Sequence, residues 1–226
     1  MEKKYFITGT DTNVGKTTAS IFLLKIAKKL GYTAIGYKPF AAGCKKTRFG
    51  LRNKDAILLK KYSTINLSYE KINPYAYEFF SPPSFFLKKN KMKDKYFKKM
   101  SIGLIELSKK ANWILIEGAG GWHTPLSLHF NYSNWVIEEK LNVILVVGIK
   151  MGCINHAILT SEAIKKSGLN LSGWIANHID NKTRNSFLYV DYIKNIISSP
   201  FLGTIPYIKN KKKRHDFKSN LILPDM

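Results

Sequence analysis

Short runs of β-branched and aromatic residues recur along this chain, separated by longer stretches in which apolar residues return at helical spacing. The continuous runs predict strands over Lys4–Thr8, Thr33–Tyr37, Trp113–Glu117, Val143–Gly148, Ser172–Ala176 and Phe201–Thr204. The spaced patterns predict helices over Lys16–Leu30, Asp55–Tyr62, Lys95–Ala111, Ile154–Ser167 and Thr183–Ile197. Strands that alternate with helices build parallel βαβ units. The expected fold is therefore α/β, a doubly wound and mainly parallel sheet with helices on both faces. The near-unbroken apolar character of the strands fits a sheet buried on both sides. One stretch, Ser63 to Asn90 with "NPYAYEFFSPPSFF", breaks the alternation and reads as an ordered excursion that covers something.

A sheet of this kind gathers ligands at the carboxyl ends of its strands. The segments to search are thus Gly9–Thr17, Lys38–Gly43, Glu117–Gly121, Gly148–Asn155, Asn177–Asp180 and Ile205–Ile208. The first contains "FITGTDTNVGKTTAS", residues 6–20, in which strand, glycine loop and helix start stand in the order a phosphate-binding loop requires. Its glycines are one position further apart than the usual G-x-x-x-x-G-K pattern, with five residues between Gly9 and Gly15. Backbone N–H groups of such a turn and the helix N-terminus offer a fixed positive field to a triphosphate. Lys16 would reach the β- and γ-phosphates, and Thr17 would place its hydroxyl on Mg²⁺.

Further chemistry sits after the other strands. Glu117 ends "WILIE", where P-loop proteins place an acidic residue near the metal, and Gly118, Gly120 and Gly121 allow close backbone approach. Asp55 reads as an oxygen near the metal and equally as the cap of the helix that follows, two compatible roles. Lys38, at the end of "TAIGYK", either faces an anion in a cleft or snorkels to the surface. "GIKMGCINHA" exposes a second helix start. Cys153 and His156 within it read as a small buried residue and an ordinary core or surface histidine. No metal spacing includes them.

With 226 residues, 45% hydrophobic and 13% aromatic, the chain is expected to fold as one well-cored domain spanning 1–226. The opening Met1-Glu2-Lys3-Lys4 is not signal-like and no apolar run is long enough to cross a bilayer, so a cytoplasmic protein without membrane contact is expected. Two cysteines make no disulfide framework. The net charge of +22 invites a nucleic-acid reading. Yet arginine, the usual fork for bases and phosphates, occurs only at Arg48, Arg52, Arg184 and Arg214, and the lysines are scattered. Charge of this kind predicts solubility and non-specific attraction, so no specific nucleic-acid partner is expected. The densest run, Lys209 to Arg214, reads as a solvated loop.

The segments "GTDTNVGKT", "GYKP", "LRNKDA", "NPY", "EGAGGW", "TPLS", "VILVVGIKMGCINHA" and "LGTIP" stand in order over residues 4–208, and the chain resembles the ATP-dependent dethiobiotin synthetases. That resemblance implies a P-loop NTPase-type fold and a homodimer with substrate sites at its interface. It also implies a cyclo-ligase that turns 7,8-diaminopelargonate, CO₂ and ATP into dethiobiotin, ADP and phosphate. By position, Lys38 and Lys16 are similar to catalytic lysines, and Thr17, Asp55 and Glu117 to magnesium ligands. Asn13, Val14, Gly15, Lys16, Thr17, Thr18, Asp55, Glu117, Gly118, Ala119 and Gly120 match the nucleotide site. Asn177, His178, Pro206, Tyr207 and Ile208 match its adenine edge. Thr12, Ala42, Cys153, Ile154 and Asn155 match substrate-contacting positions.

The chain departs from the family pattern in several places. Asn13 stands for Glu, Ala42 for Ser and Lys213 for an acid; His178 follows Asn177 where an acid is familiar, and "SPPSFF" lacks a His. Three other readings compete. A P-loop ATPase switch would carry a second lysine before the glycine pair, where this chain has Thr12-Asn13-Val14. A related amide-forming ligase would need a glutamine-hydrolysing domain. A third reading, a basic binding protein without catalysis, predicts no turnover at all.

Overall fold

The computed structural model describes residues 2–78, 92–127, 129–181, 185–209 and 220–224. The "SPPSFF" segment and Lys213 lie outside the described residues. Six strands form the main sheet: β1 (Lys3–Gly9), β2 (Ala34–Tyr37), β7 (Trp113–Glu117), β8 (Asn142–Ile149), β9 (Leu171–His178) and β10 (Phe201–Ile205). Their order is β10-β9-β8-β1-β7-β2, and every pairing is parallel. All five residues of β7 and all but the first of β8 are buried, which requires cover on both faces of the sheet. The cover comes from α1 (Lys16–Lys29) and α2 (Lys54–Tyr62) near β2, and from α6 (Cys153–Lys166) and α7 (Ser186–Ile196) near β8 and β9. Trp113, Trp135 and Trp174 are fully buried in the resulting core. Each large side chain taken out of water contributes about 1.5–3 kcal/mol.

The chain passes from β7, on one side of β1, to β8 on the other. Strand order reverses there, and sheets of this kind bind ligands at the carboxyl ends of the strands flanking the reversal, here β1, β7 and β8. All six expected strands and all five expected helices are present, with shifted ends. The Ser172–Ala176 strand runs on to His178, so Asn177 and His178 are the last residues of a strand, not part of a loop. The helix expected from Thr183 starts at Ser186, after a left-handed Asn185. Asp55 does not cap α2: Asn53 does, its Oδ1 accepting from the backbone N of Asp55 (2.9 Å) and of Ala56 (3.1 Å). The Asp55 carboxylate is thereby left for other work.

Periodicity also misses several small elements. These are the β3 (Phe40–Ala41) and β6 (Tyr75–Ala76) pair, the β4 (Lys45–Thr47) and β5 (Gly50–Arg52) hairpin, and α3 (Tyr69–Ile72). Helix α4 (Met92–Ser108) matches the expected one, but α5 (Tyr132–Glu138) was not anticipated. The described part of the 63–90 excursion holds α3 and β6, and packs its start beside the end of β2, where the Lys38 N–H donates to Ile72 O at 2.8 Å.

Candidate active site

The loop between β1 and α1 is built from left-handed turns, with φ of 61° at Asn13 and 90° at Gly15. It is held shut by Asn177, whose Nδ2 donates to the Val14 carbonyl at 2.6 Å, while Val14 itself is buried. Lys16 folds back over the loop and donates to the carbonyls of Asp11 (3.2 Å) and Gly120. Only 8% exposed, its ammonium is pushed down to about 8, first by burial and then by the charge of Lys38. An arriving triphosphate opposes both effects. Nucleotide binding near pH 8 is therefore expected to take up a proton. Affinity should fall as pH rises through that range, by up to about tenfold per unit. Titration calorimetry in two buffers of different ionisation enthalpy reads the uptake directly. For stability the sign is opposite: the unfolded lysine holds its proton to about pH 10.4, so this group makes the fold more stable as pH climbs from about 8 to that point.

Glu117, fully buried at the end of β7, collects three donors. Its Oε1 accepts from Thr17 Oγ1 (2.9 Å) and Lys38 Nζ (2.9 Å), and its Oε2 from Ser20 Oγ (2.8 Å). Lys38 does not snorkel. It is 4% exposed, donates to Gly118 O at 2.8 Å and lies 3.7 Å from Asp55 Oδ2. Burial alone would strip its proton, but Glu117 and then Asp55 outweigh that and hold the ammonium above its ordinary range. The carboxylates of Glu117 and Asp55 thus already converge on one cation, and the Thr17 hydroxyl shares the Glu117 Oε1 with it. Hard oxygen donors of this kind, completed by phosphate oxygens and water, suit Mg²⁺, which rarely takes an all-protein cage. Among the described residues no group of three or more His, Cys, Asp or Glu side chains is placed to hold a metal ion by itself.

The other anticipated positions fall in three places. Gly118 packs so closely that a Cβ there would sit 2.7 Å from Phe6 Cζ; Ala119 lies partly buried beside it, and Gly120 lends its carbonyl to Lys16. Thr18 is buried within α1. At the far edge, β10 pairs with β9 through Ile205 and Asn177, which brings Pro206, Tyr207 and Ile208 alongside Asn177 and His178. Asn177 Oδ1 is buried with no hydrogen-bond partner, an acceptor that suits the amino group of a base. Burial lowers the His178 pKa against the pull of Asp180. On the near side, the Thr12 N–H donates to Asp11 Oδ1 at 2.7 Å, and Lys150 Nζ donates to Asp11 Oδ2 at 3.0 Å. That hydrogen bond, first among several, holds the Asp11 carboxyl below its ordinary range. It also ties the phosphate loop to the segment that starts α6.

There the Cys153 thiol is buried in the core, and burial raises its pKa; Ile154 is half-buried and Asn155 exposed, so of these three side chains Asn155 faces solvent most. Ala42, half-buried, accepts a long 3.4 Å hydrogen bond from Asn53 Nδ2 on its carbonyl. Sequence reasoning passed over Ser20 and the Asp11–Lys150 pair. Ser20 lies one helical turn beyond Thr17, on the same face, and that spacing was the available signal.

A phosphate loop at the switch point of a parallel sheet, with a lysine, a hydroxyl and a strand-end carboxylate around it, defines a P-loop nucleotide-binding protein. A model for an AAA domain matches residues 3–214. The septum site-determining protein MinD of Pyrococcus horikoshii, solved with Mg-ADP, superposes with a TM-score of 0.60 over 95% of this chain and 85% of its own, at 14% identity; it shares the fold. The ATP-dependent dethiobiotin synthetase BioD of Buchnera aphidicola (strain 5A) is 50% identical over 99% of this chain and all of its own. That of Escherichia coli K12 is 47% identical over 92% of each. The chain belongs to the dethiobiotin synthetase family.

Proposed function

We propose that this protein is an ATP-dependent dethiobiotin synthetase, converting 7,8-diaminopelargonate, CO₂ and ATP to dethiobiotin, ADP and phosphate. The observation that carries the reading is the buried Lys38 ammonium, set between Glu117 and Asp55 and close enough to Lys16 for the two charges to oppose each other. The carboxylates of Glu117 and Asp55 already oppose part of this repulsion, and arriving anions relieve more of it. The reaction supplies two. One amine of the substrate attacks CO₂ and loses a proton, giving a carbamate. A carbamate oxygen attacks the γ-phosphorus and ADP leaves. The second amine then attacks the carbamate carbon, expelling phosphate and closing the ureido ring, and its proton passes to solvent.

In this reading Lys16 follows the phosphates, and Lys38 lies where carbamate and γ-phosphate meet, screening their repulsion. Thr17, Asp55 and Glu117 would hold Mg²⁺, which supplies further neutralisation of the phosphate charge when bound. The loop from Asn13 to Thr18 and the turn from Gly118 to Gly120 cradle the phosphates. Asn177, His178, Pro206, Tyr207 and Ile208 border the base. Thr12, Ala42, Cys153, Ile154 and Asn155 line the substrate side, which keeps the two amines beside the activated carbon and makes ring closure effectively intramolecular.

The same reading includes a homodimer, a cytoplasmic location and a single catalytic domain. No helix among the described residues is long and apolar enough to cross a membrane. Support for the dimer comes from large apolar side chains exposed along α6 and α7 and just before them: Met151, Leu159, Phe187, Leu188, Tyr192 and Ile196. Leu188→Asp is expected to shift sedimentation to the monomer and to cut turnover more than ATP binding. The direct test incubates the purified protein with diaminopelargonate, bicarbonate, Mg²⁺ and ATP and seeks dethiobiotin by mass. No ureido product, beside an active relative, would remove the assignment and favour the non-catalytic binding protein.

A further inference from the structure

The motif "NPY" has no part in the chemistry so far, yet its asparagine is among the most completely buried polar residues of the chain, at 3% exposure. Asn73 Nδ2 donates to the backbone carbonyl of Lys38 at 2.6 Å and to that of Tyr75 at 3.0 Å. Its Oδ1 accepts from Tyr69 Oη at 2.9 Å. The same phenol oxygen accepts the backbone N–H of Asn53 at 2.7 Å, and the Asn53 side chain in turn caps the helix that carries Asp55. Four hydrogen bonds therefore join the backbone of Lys38 to the helix start that presents Asp55, by way of carbonyl, amide, phenol, backbone N–H and cap. Tyr69 is buried as well, and burial first among the causes keeps its hydroxyl protonated, as a donor must be. Arg52 stacks on its ring from outside, 4.2 Å from the centroid, without entering the chain of bonds.

Such a chain has a purpose that packing does not need. Lys38 follows β2, whereas Asp55 stands on α2, beyond the exposed β4–β5 hairpin. Between them the backbone is long enough for the two charged groups to drift apart by the small distances that catalysis does not tolerate. We propose that Asn73 and Tyr69 are positioning residues, which fix the Lys38 backbone and the Asp55 helix start in one frame so that ammonium and carboxylate meet the terminal phosphate and its metal together. The proposal rests on the reading of Lys38 and Asp55 given under Proposed function. Neither residue touches the reacting atoms.

Tyr69→Phe removes the hydroxyl and leaves the ring, so it breaks the relay at its centre with the least disturbance to packing. The decisive readout needs no turnover: ADP affinity by calorimetry, without and with Mg²⁺. In Tyr69→Phe, Mg-free ADP should bind within twofold of the wild type, because the phosphate loop is untouched. The gain in affinity on adding Mg²⁺ should shrink by about three- to tenfold, and kcat should fall about tenfold with KM for ATP nearly unchanged, as expected when the two hydrogen bonds of the Tyr69 hydroxyl are lost. Asn73→Ser, which shortens the amide, should behave alike. Arg52→Gln should lower the melting temperature and leave both the magnesium gain and kcat as they are.

An unchanged magnesium gain in Tyr69→Phe overturns the proposal whatever the turnover, and so does a wild type with no such gain. A loss of Mg-free ADP affinity in step with the loss of gain also overturns it, since that is general loosening. If the gain shrinks while the wild type makes no dethiobiotin, the positioning role stands and the assigned reaction falls.

Discussion

Lys38→Gln binds ATP within about fivefold of the parent and turns over at least 10²–10³-fold more slowly, the loss typical of a single preorganised charge-stabilising donor. The residue is buried, 2.9 Å from Glu117 Oε1 and 2.8 Å from Gly118 O, so its charge is held where solvent screens it little. Removing it does not empty the cluster. Thr17 and Ser20 still donate to the two Glu117 oxygens, and the glutamine amide can replace one more bond. The stability cost is therefore expected near the low end for a broken buried pair, about 3 kcal/mol or less. The nucleotide side carries a second consequence. Lys38 is one of the two main reasons that the Lys16 pKa is depressed, after burial. In the variant, proton uptake on ATP binding should move to higher pH. Calorimetry at pH 8 and 9 separates this coupled effect from simple unfolding. A variant with parental turnover would reject the role given to Lys38.

Gly15→Ala should abolish ATP binding, by at least about 10²-fold, for two reasons that add. Its φ of 90° costs a residue with a side chain about 1–2 kcal/mol. Beyond that, an added Cβ would stand 2.0 Å from Asn177 Nδ2, the atom that closes the loop by donating to Val14 O. Asn177 cannot yield without losing that bond, and the carbonyl of Val14 would then be left without its partner in a buried place. Truncating the obstacle tells the two costs apart. Asn177→Ala combined with Gly15→Ala should recover part of the affinity, because the clash goes and the backbone strain stays. Nucleotide titration of the single and double variants checks this; a single variant with normal affinity would mean that the loop moves freely, against the packing seen here.

Local pattern carried a good deal of this protein. Unbroken apolar runs are strands because they suit a sheet covered on both faces, and once their ends are placed, the residues just beyond them are the candidate site. Lys16, Thr17 and Glu117 were legible for that reason, as was the unusual spacing of the loop. Short elements were not. The two-residue strands Phe40–Ala41 and Tyr75–Ala76 have no period of their own and exist only as each other's partner. Asp55 was ambiguous because a carboxylate near a helix start can cap it; only the bonds made by Asn53 decide that it does not.

The amino-acid sequence by itself determined the layer architecture, the phosphate loop and the family, since each depends on residues that are neighbours along the chain or on motifs standing in order. Tertiary structure alone decided which charges meet. Lys38 and Glu117, 79 positions apart, touch because β2 lies beside β7, and Asn73, with Tyr69 bonded behind it, reaches Lys38 because the excursion folds back over the end of β2. Electrostatic and hydrogen-bond energies depend on separations of a few ångströms in space, and no local pattern encodes those.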